Sequence, residues 1–207
     1  MRLSTIKLVA ACTVWLLIVV VGFWHFDFSY LRPVTGQASA EGIPLKDRQL
    51  PVQLATGTGF VHTWSKGKIT LINFWNPDCE CSIQNEPVVR GIWTRFSGDG
   101  VRIITVAEIS GMSVNSAMKT WKSQHVHSTA VVPDVDGKLA RSLGVWSTPG
   151  AIVVNGSGEV VYKGGYNVAR FCHDPTTSWV PQAIEAVMEG KQPAHPRSPF
   201  FGCCIPE

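Results

Sequence analysis

Charged residues are scarce in this chain of 207 residues, of which they make up 16%. The formal net charge is only +3, and no run of Lys and Arg is dense enough to form a nucleic-acid-binding surface, so we expect no nucleic-acid partner. Little charge together with 10% aromatic residues is the opposite of a disordered composition. No internal repeat is visible. The length allows one domain with a sizeable core and an additional segment.

Charge is missing altogether from Leu8–Trp24, whose 17 residues are the short end of the roughly 17–25 that a transmembrane helix needs. Arg2 and Lys7 precede this run, so the positive-inside rule predicts a cytoplasmic N-terminus. We therefore expect a single-pass protein of the bacterial inner membrane with its C-terminal domain in the periplasm. The alternatives are a cleaved signal peptide, a lipoprotein signal ending at Cys12 and a buried core helix; the first two also predict export.

Six cysteines are present, and Cys12 lies within the apolar run. The other five would face an oxidising compartment, in which disulfides persist; they are Cys79, Cys81, Cys172, Cys203 and Cys204. Because five is an odd number, at least one of these thiols is free, transiently paired or bonded to another molecule.

The remaining sequence alternates between strand-like and helix-like patterns. Nearly continuous apolar runs predict buried strands at Ile69–Trp75 and Val101–Glu108. Further strands are predicted near 50–55, at 129–134 and as a hairpin within 151–165, and helices at 79–96, 113–124, 136–144 and 175–190, the last one broken or restarted at Pro181. This order predicts an α/β fold with a parallel sheet, covered by helices, to which the hairpin adds antiparallel strands.

These patterns divide the chain into five segments. They are a cytoplasmic segment (1–7), a transmembrane anchor (8–24), a tether (25–49), the α/β domain (50–190) and a Pro-rich, cysteine-containing tail that we expect to be irregular (191–207). The composition of the tether suits a linker that holds the domain away from the membrane.

The most informative stretch is "NFWNPDCECS", Asn73–Ser82, where a predicted strand leads into a predicted helix. Ligands and chemistry collect at the carboxyl edge of such a sheet. Cys79 would stand at or beside the helix N-terminus, where unpaired N–H groups and the helix dipole favour the reactive thiolate. The flanking carboxylates of Asp78 and Glu80 oppose this effect.

Over roughly Leu50–Met188 the chain resembles the thioredoxin superfamily, in particular its membrane-tethered TlpA/ResA-like thiol–disulfide oxidoreductases. The resemblance depends on the strand-then-cysteine pattern "LINFWNPDC", on Pro87 eight residues after Cys79, and on "STPGAIVVNGSGEVVYKGG". It implies a thioredoxin-like fold, a central mixed β-sheet flanked by helices. It also implies that Pro149 is the family's cis-proline and that the backbone of Thr148 binds a substrate peptide.

The sequence departs from this family at the second cysteine. The family's Cys-x-x-Cys pattern would place it at position 82, which is Ser82, whereas Cys81 stands one residue earlier. Residues two apart do not face each other on a regular helix, so a Cys79–Cys81 disulfide requires a non-helical backbone at Cys79. We expect this bridge, with Cys79 as the attacking thiol and Cys81 as the resolving thiol.

The other three exported cysteines are candidate secondary thiols. In a rival mechanism, a distant thiol from Cys172, Cys203 or Cys204 resolves the bond to Cys79. Cys172 is also expected to form a structural disulfide with Cys203 or Cys204, which would pin the tail to the domain.

The sequence therefore predicts extracytoplasmic thiol–disulfide exchange with protein partners, which needs no organic cofactor and no metal. A first alternative is a Cu(I)-binding protein or copper chaperone, because soft thiolates select Cu(I) and the Cys79–Cys81 motif and the tail offer several. A second alternative is a redox-silent scaffold on the same fold.

Overall fold

The structure is a computed structural model that describes residues 3–31, 53–55, 61–63, 67–123, 127–172 and 174–205. The chain forms two compact units, Met1–Arg32 and Pro33–Glu207. The first unit contains helix α1 (Leu3–Leu31), in which Thr5–His25 has a mean hydropathy of 2.5 and is long and apolar enough to cross a membrane. The helix continues through residues 25–31, which begin the predicted tether. The rest of the tether lies outside the described residues.

The second unit contains the predicted alternation of strands and helices. In chain order its elements are β1 (Gln53–Ala55), β2 (Val61–Thr63), β3 (Thr70–Trp75), α2 (Glu80–Gln84), α3 (Glu86–Phe96), β4 (Arg102–Ile109), α4 (Val114–Ser123), β5 (Ala130–Val135), α5 (Lys138–Ser142), β6 (Ser147–Thr148), β7 (Gly150–Val154), β8 (Val160–Gly164), α6 (Trp179–Met188) and β9 (Cys203–Cys204).

Five strands form the central sheet in the order β5-β4-β3-β7-β8. Strands β3, β4 and β5 are parallel, whereas β7 runs antiparallel to both β3 and β8. The late pair β7 and β8 is the predicted hairpin. A mixed sheet flanked by helices confirms the predicted thioredoxin-like fold.

Strand β3 lies at the centre of the sheet and is buried along its whole length. Its side chains alternate between two faces, as the strand period of two requires. Ile72 and Phe74 pack in a core cluster with Leu143 of the segment after α5, whereas Leu71 packs in a second cluster with Ile184 of α6. Helices therefore cover both faces of the sheet, which explains the continuous apolar run of the β3 sequence.

The predicted helix at 79–96 is two helices, α2 and α3, that meet at Asn85. Pro87 lies in the first turn of α3 and has no N–H to continue the hydrogen-bond ladder of α2. The predicted helix at 175–190 is also interrupted: a single 3-10 turn at Pro175–Thr177 precedes α6, which starts anew at Trp179. Pro181 lies in the first turn of α6, where a missing N–H is tolerated, so the predicted restart near this proline is confirmed.

The Pro-rich tail, predicted to be irregular, packs within the second unit. Strand β9 pairs antiparallel with β6. Phe200 and Ile205 are 6% and 5% exposed, and both belong to the core cluster on the α5 face of the sheet. Burial of these apolar side chains stabilises the position of the tail. The Pro-rich composition of the tail had predicted an irregular segment and not a part of the core.

Candidate active site

Cys79 ends the connection between β3 and α2. It is the N-cap residue of α2 with an extended backbone (φ −97°, ψ 112°). The side chain is 1% exposed, and its Sγ lies 3.2 Å from the carbonyl oxygen of Thr148. The strand-to-helix connection therefore places this sulfur directly against β6.

The Thr148–Pro149 peptide bond is cis, as the resemblance implied. The strand before it, β6, pairs with β9 so that Thr148 lies opposite Cys203. One residue further along, the N–H of Ile205 donates to the carbonyl oxygen of Trp146 at 2.9 Å. The backbone that was predicted to hold a partner peptide therefore holds the chain's own tail.

A disulfide joins Cys79 to Cys203, with 6.0 Å between their Cα atoms and a sequence separation of 124. Cys81, Cys172 and Cys204 are free. The predicted Cys79–Cys81 bridge is absent from this state, and the predicted disulfide between Cys172 and a tail cysteine is wrong. A disulfide does attach the tail to the domain, as predicted, but its partner in the domain is Cys79 and not Cys172.

The strand register explains why Cys203 is the bonded partner. It places Cys203 opposite Thr148, whose carbonyl group already contacts the Cys79 sulfur. Cys81 belongs to α2, in which side chains two positions apart point in different directions. The extended backbone at Cys79 would allow the shorter bridge, yet the tail strand supplies the sulfur that faces it. From the sequence, Cys203 was only one of three distant candidates.

Gly202 allows the tail to lie in close contact with β6. A Cβ atom at this position would overlap the carbonyl oxygen of Thr148 and lie 3.2 Å from Cδ of Pro149. Only a residue without a side chain lets β9 approach the cis-proline loop this closely. Gly202 was not among the residues predicted from the sequence, although the stretch "FFGCC" combines apolar residues, a glycine and two cysteines within a Pro-rich tail.

Cys81 is a buried thiol beside the disulfide. Burial raises its pKa, and the nearby Arg170 guanidinium only partly opposes this effect. The sulfur atoms of Cys79, Cys81 and Cys203 all lie within 4.8 Å of one another. On its other side, Cys81 lines a small pocket together with Phe201 and Cys172. A third sulfur is thus within reach of the bonded pair, but its thiolate form is disfavoured.

Hydrogen bonds of polar side chains stabilise the connection between β3 and α2. The backbone N–H of Asn76 donates to Oγ of Ser82 at 3.3 Å. Ser82, which stands where the Cys-x-x-Cys pattern would have its second cysteine, therefore supports the connection through a hydrogen bond. The side-chain amide of Asn76 donates to the Glu108 carboxylate, which also accepts from the Ser110 hydroxyl. Glu108 is 1% exposed, and burial raises its pKa.

The model of a domain of unknown function, DUF6436, matches residues 51–205, so the chain belongs to that family. The structure is similar to a hypothetical protein from Sinorhizobium meliloti 1021 (17% identity, TM-score 0.62, 76% of this chain and 91% of that one). It is also similar to an uncharacterized conserved protein from Geobacillus kaustophilus (17% identity, TM-score 0.63, 77% and 90%). A putative thiol:disulfide interchange protein DsbE from Chlorobium tepidum is 22% identical (TM-score 0.48, 56% and 82%). Among curated proteins, none matches the sequence.

Proposed function

We propose that this member of the DUF6436 family exchanges disulfides with protein partners through the Cys79–Cys203 pair. The observation that carries the proposal is the position of this disulfide, at the junction of the central strand and its helix and against the cis Thr148–Pro149 bond. The thioredoxin-like fold supports the same chemistry.

The pair forms a two-electron couple. In the reduced state, one thiolate attacks a partner disulfide and the second thiolate then attacks the mixed disulfide, so two thiols of the protein are oxidised and one partner disulfide is reduced. Cys81 remains a candidate resolving thiol because its sulfur atom lies within 4.8 Å of both sulfur atoms of the pair. Its raised pKa lowers the thiolate fraction, so we expect the Cys79–Cys203 pair to complete most exchanges. The reaction needs no organic cofactor.

The compartment is part of the proposal. The apolar helix α1 suits a membrane anchor, and the two basic residues before it favour a cytoplasmic N-terminus. A periplasmic domain would meet the oxidising environment in which such a disulfide persists.

Labelling with a membrane-impermeant maleimide tests the periplasmic location of the domain, because Cys204 is exposed and free. Labelling of intact spheroplasts is expected, Cys204→Ser combined with Cys172→Ser should abolish it, and labelling only after lysis would contradict a periplasmic domain.

The reaction is tested with the purified full chain in detergent, insulin as the disulfide substrate and dithiothreitol as the electron donor. Wild type is expected to accelerate insulin reduction, and Cys79→Ser to abolish the acceleration because one half of the pair is lost. Cys172→Ser is the matched control, since Cys172 is also a cysteine but is not bonded to either member of the pair. No acceleration by wild type would favour the redox-silent scaffold.

A second candidate function is Cu(I) binding by the reduced protein. The observation that favours it is the cluster of Cys79, Cys81 and Cys203, whose sulfur atoms lie within 4.8 Å of one another. Soft thiolates select Cu(I). A chelator-competition titration of the reduced full chain should then give one tightly held equivalent that Cys81→Ser weakens and Cys172→Ser does not. Loss of all copper to the chelator would exclude this function.

A further inference from the structure

The cysteine residues of the site differ in their exposure to solvent. Cys79 is 1% exposed and lies behind β9. Cys203, bonded to it, is partly exposed, and Cys204 is exposed. A partner thiol or disulfide must approach the sulfur that it reacts with, so Cys79 is accessible from outside only if the tail strand moves away.

The tail is held on both sides of Cys203. Before it, the side chain of Phe200 packs in the core cluster of the α5 face, and the N–H of Gly165 donates to the carbonyl oxygen of Pro199 at 3.1 Å. After it, Ile205 packs in the same cluster, and its N–H donates to Trp146. Moving Cys203 away from β6 would break these contacts as well as the disulfide, so the tail stays in place during exchange.

We infer that Cys203 is the sulfur that meets the protein partner and that Cys79 is the internal sulfur that completes the exchange. This inference rests on the proposed function and assigns the roles within it. It reverses the roles expected from the sequence, in which Cys79 is the attacking thiol. Thr148 and Pro149 then position the tail cysteine.

In the reduced protein the exchange proceeds in two steps. The Cys203 thiolate attacks one sulfur of the partner disulfide, a Cys203–partner bond forms, and the other partner sulfur leaves as a thiolate that takes up a proton. The Cys79 thiolate then attacks Sγ of Cys203, the Cys79–Cys203 bond forms, and the second partner sulfur leaves in the same way. Two protein thiols are oxidised and one partner disulfide is reduced; dithiothreitol restores the reduced pair.

The test compares two matched variants of the full chain that both lack the disulfide. Each carries Cys81→Ser, Cys172→Ser and Cys204→Ser, and then either Cys79→Ser, which leaves Cys203 in the site, or Cys203→Ser, which leaves Cys79 in the site. The reduced proteins are exposed to insulin, quenched with acid, and analysed by mass spectrometry for the cysteine that is bonded to an insulin chain. The Cys79→Ser variant is expected to capture about tenfold more insulin than the Cys203→Ser variant, because access governs the rate of attack.

Equal or greater capture by the Cys203→Ser variant would overturn the inference, because a partner would then reach Cys79. Capture by neither variant would also overturn it if wild type still accelerates insulin reduction, in which case the proposed function stands. Failure of wild type to reduce insulin, together with no capture, would instead remove the proposed function itself.

A measurement on wild type guards against misfolding of the variants. After brief reduction, iodoacetamide is added for increasing times and the alkylated cysteines are mapped. Cys203 is expected to react before Cys79, and the opposite order would contradict the inference.

Discussion

Removing the Cys79–Cys203 disulfide should destabilise the domain strongly, because the bridge closes a long loop. For a sequence separation of 124 between the two cysteines, the chain-entropy relation gives a stabilisation of about 5 kcal/mol at 25 °C. Measured values for disulfides are usually about 2–4 kcal/mol, so Cys203→Ser is expected to lower the free energy of unfolding by about 2–5 kcal/mol. The packing of Phe200 and Ile205 should keep the variant folded at low denaturant.

Urea unfolding of the full chain in detergent, followed by tryptophan fluorescence, measures this loss. Wild type in dithiothreitol should lose the same free energy as the Cys203→Ser variant, and the variant should lose nothing more on reduction. Cys172→Ser is the control and should unfold like wild type, because Cys172 is free. If Cys172→Ser lost as much as Cys203→Ser, the assigned pairing would be refuted.

Three further predictions concern individual residues. Gly202→Ala should cost about 1–3 kcal/mol in urea unfolding, because its Cβ would overlap the Thr148 carbonyl oxygen, whereas Gly98→Ala, with open space around it, should cost less; equal losses would contradict the close approach. Alkylation of Cys81 in the reduced protein should be slow at neutral pH and accelerate only at alkaline pH, because burial raises its pKa; rapid alkylation at pH 7 would contradict this. The buried Glu108 carboxyl, whose pKa is raised from 4.5, contributes stability that is fully present below pH 4.5 and lost as the pH rises through its folded pKa. Urea unfolding of Glu108→Gln should therefore depend less on pH over that range than wild type, and identical pH profiles would refute the assignment.

The central sheet could be predicted from the sequence because its strands are buried on both faces. Such strands read as continuous apolar runs, and β3 and β4 were located to within a residue or so of their ends. The break between α2 and α3 was missed although Pro87 was noted, because the amphipathic pattern continues on both sides of it. The restart near Pro181 could be predicted because a proline fits the first turn of a helix and not its interior.

The site was only half predictable. Local signals are strong for Cys79, which follows a buried strand, and for Pro149, which the family resemblance identified. The partner of Cys79 depends instead on tertiary pairing, because β6 and β9 each have only two residues and are far apart in sequence. The local sequence does not indicate which of several cysteines such short strands bring together. The prolines of the tail predicted an irregular segment, although its apolar residues pack in the core.

The position of the tail in the core also has a consequence for biogenesis. Phe200 and Ile205 follow the other members of their core cluster in chain order, so the α5 face of the sheet lacks part of its cover until they leave the ribosome. The same few residues carry the sulfur that pairs with Cys79. A nascent chain that still lacks this segment therefore has neither the thiol pair nor the complete cover of that face.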